Sequence, residues 1–230
     1  MNLNDYELNS LQYKEALEKD KRSYCEYYLS VLKTNHLFIF TFIRKNDYNS
    51  KIIKIFLFFF CIILFYVVNA IFFSDSKIHQ IFEDGGNFNI IYQIPQIIYS
   101  SLITTIVNII IKALSLSERN ILEIKQEKNI INLPKKSDEI IKKLYLKFKL
   151  FFIISFLFLL FFWYYISCFC AVYKNTQLHL IKDTLISLGL SLIYPFFIYL
   201  LPGILRIQAL RASKKNNEGI YNISKIIQMI

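Results

Sequence analysis

The chain has 230 residues, 55% hydrophobic and 17% aromatic, and a net charge of +10. Soluble domains run nearer about 45–50% apolar, and here the excess sits in long runs with the charges between them, which excludes a soluble globular core and indicates a membrane protein. Five Gly and four Pro exclude collagen-like and Gly/Pro-rich disordered classes.

Residues 1–50 read as a cytosolic and interfacial N-terminal segment. Leu37–Ile43 is apolar but too short to span and ends at Arg44 and Lys45. With Tyr27, Tyr28, Leu29 and Leu32 it predicts an interfacial helix lying on the bilayer; a packed approach to the first span is the alternative. No short cleavable signal opens the chain, so the first span carries it into the membrane.

Residues 51–206 read as a four-span membrane domain, with spans at about 52–73, 92–114, 150–173 and 184–205. Pro95 is tolerated in a first turn and sets the second helix to start nearby. Asp183 is placed to cap the fourth span; Pro195 should kink it, and Pro202-Gly203 should end it. Residues 207–230 form a cytosolic tail.

Between spans 2 and 3, Ser117–Asn129 is rich in helix formers and continues the second span until Pro134 breaks it. Ile140, Leu144 and Phe148 then recur every fourth residue, with Ile141 and Tyr145 beside them. The expected fold is therefore an all-α, integral membrane four-helix bundle with a cytosolic helical hairpin between spans 2 and 3.

Orientation follows from Lys and Arg. Residues 1–54 hold nine, 112–149 ten and the segment from Arg206 five, against one in 74–89 and two in 174–183. The balance of 24 to 3 puts both ends and the central connection in the cytosol. Asp84, Asn175 and Lys128 are natural markers for that topology. Membrane orientation accounts for the charge, so no nucleic acid partner is expected. Lys135, Lys136, Lys142, Lys143, Lys147 and Lys149, close to the third span, are suited to anionic-lipid contact.

The second span carries a polar seam. Ser100, Thr104 and Asn108 recur every fourth residue, and Ser187 and Ser191 repeat the theme on the fourth span. Small and hydroxyl residues let helices approach closely; the same seam could line an ion path. Packing is favoured, because no Asp, Glu, Arg or His lies deep in a span to mark such a path.

Asp75, His79, Glu83 and Asp84 before Gly85-Gly86 form a solvated turn; one histidine among scattered carboxylates is a weak metal signal. Cys25, Cys61, Cys168 and Cys170 form neither a zinc pattern nor a disulfide framework. Neither metal nor cofactor is expected. There is no phosphate loop, nucleophile elbow, His-Glu-x-x-His or paired intramembrane aspartate, so an enzyme is not expected.

Four stretches carry a resemblance: DKRSYCEYY at 20–28, IYQIPQIIYS at 91–100, LSLSE at 114–118 and NTQLHLIKDT at 175–184. On them the chain resembles, from about residue 11 onward, a recurring group of multi-span membrane proteins from protists with AT-rich genomes. The resemblance implies a C-terminal membrane module of longer chains and carries no activity or functional residue with it. The expected function is a multi-pass membrane anchor or interaction module that meets the lipid bilayer, anionic lipid or a membrane-protein partner. The alternative is an ion channel or transporter component using spans 2 and 4.

Overall fold

The structure is a computed structural model that describes residues 3–44, 47–83, 85–87, 90–125, 133–174, 176–211 and 217–228. Asp84, Asn175, Lys128 and Lys45 lie outside the described residues, as does 126–129 of the segment expected to prolong the second span. The described residues form helices α1 (Asp5–Ser10), α2 (Tyr13–Lys19), α3 (Tyr24–Asn35), α4 (Lys51–Ile71), α5 (Asp75–Glu83), α6 (Ile90–Ser115), α7 (Glu118–Lys125), α8 (Leu133–Val172), α9 (Gln177–Ile198), α10 (Leu200–Arg211) and α11 (Glu218–Gln228), with no strand among them. Four helical stretches are long and apolar enough to cross a membrane: Lys51–Ile71, Gln93–Ser115, Leu133–Val172 and Gln177–Arg211.

The chain divides into two compact units, one of residues 1–54 with 192–230 and one of residues 55–191. In the first, local signals start the helices. Asn4 and Glu7 form a reciprocal capping box on α1, and Ser23 and Glu26 do the same on α3. The tail does not stand apart from the N-terminal segment. Leu11, Tyr13 and Ala16 share a core with Ala209 of α10 and Tyr221 of α11. The Tyr221 hydroxyl donates to Leu11 O at 2.9 Å, and Lys225 Nζ donates to Ser10 O at 2.9 Å.

No single interfacial helix spans Tyr27 to Ile43. Tyr27, Val31 and Leu32 of α3 are buried with Tyr199, and α3 stops at His36, whose Nε2 shares a hydrogen bond with Leu192 O at 2.8 Å. A separate π-helical turn covers Ile39–Ile43, and Leu29, Phe38, Phe42 and Ile43 remain exposed.

Pro95 and Pro202 lie differently from their expected places. The helical path breaks at Tyr199, and Pro202-Gly203 opens α10 rather than ending the span. A proline removes the bond to the carbonyl four residues back and clashes with it, so the interruption falls upstream. Pro195 sits inside α9. Pro95 lies inside α6, which starts at Ile90; Pro134 is the second residue of α8, where its missing N–H has no partner to lose. Nor does the second span run on through Ser117. The Leu116 carbonyl is taken by Lys147 Nζ, and α7 starts afresh at Glu118.

In the second unit α4 is the most enclosed element, with Leu57, Phe60, Cys61, Leu64, Phe65, Val67, Val68 and Ala70 buried. Phe56 meets the Phe151 ring edge-on at 5.5 Å, and Phe60 packs on Phe162 at 6.0 Å. By contrast α6 exposes Ile98, Leu102, Ile106 and Ile109, and α8 exposes Phe152, Phe156, Leu160 and Trp163. Such apolar faces suit a hydrocarbon solvent, in which van der Waals packing and interhelical hydrogen bonds hold helices together.

Candidate functional site

The turn after α4 folds α5 back at once: Phe73 N donates to Ala70 O, and Lys77 N to Ser74 O. Ile81 then packs with Ala70, Phe73, Phe169 and Leu180. Lys77, one turn before Ile81, shares that face and is buried. Its ammonium donates to Asp183 Oδ2 at 2.5 Å and to Gln96 Oε1, 4.8 Å from the Phe73 ring centre. Burial pulls the Lys77 pKa below its ordinary value; the Asp183 carboxylate works in the opposite direction.

Asp183 does not cap α9. The helix begins at Gln177, and Asp183 lies inside it, fully buried. Gln96 is held by its amide nitrogen, which donates to Asn69 O at 3.1 Å, Asn69 Oδ1 at 3.2 Å and Asp183 Oδ2 at 3.4 Å. That arrangement keeps the Gln96 oxygen on the ammonium. Asn69 Nδ2 donates to Phe65 O at 2.9 Å and Ser187 Oγ at 3.3 Å. Ser187 Oγ lies 3.3 Å from Ser100 Oγ and donates to Asp183 O at 2.8 Å. Side chains of α4, α5, α6 and α9 therefore form one buried polar network.

Two seam residues expected from spacing, Ser100 and Ser187, meet directly in that network. Thr104 is fully buried one turn on from Ser100, and its hydroxyl has no hydrogen-bond partner among the described residues. Asn108 turns instead to α4, its Nδ2 donating to Cys61 Sγ at 3.0 Å. Ser191 is half-buried on α9. Two further oxygens, Asp183 Oδ1 and Gln93 Oε1, are buried without a hydrogen-bond partner among the described residues.

The six lysines of α8 differ in exposure. Lys135, Lys142, Lys143 and Lys149 are exposed and Lys136 is half-buried. Lys147 is engaged by Leu116 O and by Asn120 Oδ1 at 3.2 Å. On α5, His79 and Glu83 pair at 3.2 Å on an exposed face.

Sequence spacing missed Lys77, Asp183, Gln96 and Asn69. A signal existed for three of them. Gln96 precedes Ser100 by four residues and extends the same ladder. Lys77 and Asp183 are opposite charges in the two segments poor in Lys and Arg. No known protein family, curated protein or solved structure matches the chain.

Proposed function

We propose that this chain is a multi-pass membrane anchor or interaction module whose spans are locked together by the α6 seam. The observation that carries this is the direct meeting of polar groups across helices, Ser100 with Ser187 and Asn108 with Cys61. Polar side chains that satisfy one another in a bilayer act as interhelical glue. On this reading both termini and the α7–α8 hairpin face the cytosol, where the exposed lysines of α8 meet anionic headgroups, each contributing about 1 kcal/mol. A channel or transporter component is the second reading. It is favoured by the buried Lys77–Asp183 pair, which supplies the interior charges that ion pathways commonly use.

Thr104 separates the two. Replacing it with Leu overfills a closed seam and should destabilise the detergent-solubilised protein by about 1–3 kcal/mol. Thr104→Ala removes a hydroxyl that has no hydrogen-bond partner among the described residues and should melt within about 0.5 kcal/mol of the wild type. Thermal melting of both variants, read beside ion flux in vesicles, tests the lock. Unchanged melting in both, with altered flux, would replace the anchor with the transport reading.

A further inference from the structure

We propose that Asp183 is the anionic centre of a monovalent-cation site in which the Lys77 ammonium is a tethered, displaceable occupant. The ammonium touches oxygens, Asp183 Oδ2 and Gln96 Oε1, as a coordinated cation would. Gln96 is held in place by Asn69, so its oxygen is oriented in advance. A second oxygen of the same carboxylate, Asp183 Oδ1, is fully buried, and Gln93 Oε1, one turn earlier than Gln96 on α6, is another buried acceptor; neither has a hydrogen-bond partner among the described residues. The carboxylate that holds the ammonium thus keeps one buried acceptor in reserve. Sodium and potassium are hard cations that favour carboxylate and amide oxygens.

Charge decides the class. Exchange of the ammonium for a monovalent ion leaves the buried charge unchanged. A divalent ion would leave an extra positive charge in the interior, which costs several kcal/mol. Lys77 can withdraw because its four-carbon stem is flexible and its charge is a compact point. It sits on α5, a nine-residue helix outside the four long apolar stretches. The site is independent of whether the chain transports anything.

Acetylation of Lys77 in the purified full chain, followed by mass spectrometry, reads the displacement directly. Sodium or potassium chloride should raise its rate saturably, by about tenfold if the ammonium is released in about a tenth of the resting population. Choline chloride at equal ionic strength should leave the rate unchanged. Lys77→Met should show saturable thermal stabilisation by the same ion at about tenfold lower concentration. The Lys77→Met/Asp183→Asn double variant should lose the response. Equal acetylation in all three salts would overturn the proposal, as would a saturable response retained by the double variant. If the variants fail to fold, acetylation of the wild type decides alone.

Discussion

Each compact unit buries an aspartate on a cation, Asp20 with Arg206 in the first and Asp183 with Lys77 in the second, and these two pairs are finished to different degrees. In the first unit Arg206 is enclosed between the rings of Tyr27 and Tyr221, at 4.8 and 4.7 Å. Its Nε and Nη2 both reach Asp20 Oδ2, at 3.1 and 2.8 Å, and Nη2 also donates to Leu8 O at 2.8 Å. Asp20 takes a second, two-pronged contact from Arg22 at 2.8 and 2.9 Å. Both of its oxygens are thus engaged. In the second unit Asp183 holds a lysine by one oxygen, and the other has no hydrogen-bond partner among the described residues. A planar guanidinium with several fixed donors makes a permanent joint, whereas a point charge on a flexible stem makes a releasable one.

The largest expected effect is on the finished joint. Asp20→Asn strips the carboxylate from a fully buried arginine and should destabilise the first unit by about 3–5 kcal/mol, read by denaturant unfolding in detergent. Acid should act in the same direction. Burial alone would raise the Asp20 pKa, but the hydrogen bonds and charges of Arg22 and Arg206 outweigh it and hold the carboxyl below its ordinary value. A depressed folded-state pKa contributes stability that is complete above the unfolded value of about 3.9 and is lost as pH falls through the folded one. The stability gap between wild type and Asp20→Asn should therefore be constant above about pH 5 and close in stronger acid. A gap that widens on acidification would refute the assigned charge state.

Asp183→Asn should cost less, about 1–3 kcal/mol, because Lys77 can shed its proton or withdraw. The same unfolding measurement made on both aspartate variants tests the comparison. An Asp183→Asn loss equal to or above that of Asp20→Asn would make both joints permanent.

The smallest effects contrast two glycines. A Cβ on Gly203 of the first unit would meet the Tyr24 ring at 2.8 Å, while one on Gly189 of the second meets nothing within 4 Å. Gly203→Ala should cost about 1 kcal/mol, near the lower end for overfilling a packed site. Gly189→Ala should stabilise by up to about 1 kcal/mol through helix propensity. Melting curves of the two single variants check the signs.

The four long apolar helices were legible because their lengths and hydrophobic runs are local properties of the chain. The seam of Ser100 and Thr104 was legible for the same reason, since spacing by four places side chains on one face. Its partners on α4 were not. Asn69 and Cys61 lie on α4, whose apolar composition hides two polar contacts, and no periodicity announces which helix Asn108 will face. Lys77 was assigned to a solvated loop because a nine-residue stretch with one lysine carries no burial signal by itself. Its burial depends on the sharp return of the chain after Phe73. The shared core of the N-terminal segment and the tail was equally hidden, for Arg206 meets Asp20 across nearly the whole chain length. Helix limits were misplaced where proline was expected to terminate rather than to begin a helix.

Length sets α8 apart from the other helices. Its 40 residues make a rod of about 60 Å, twice the roughly 30 Å hydrocarbon thickness. From Lys135 to Val172 it contains neither proline nor glycine, the usual sites of sharp bends. Lysines crowd one end, and Phe169, packed edge-on against Phe73 at 5.6 Å, sits near the other. A single uninterrupted helix thus joins the basic end to the turn that carries Lys77.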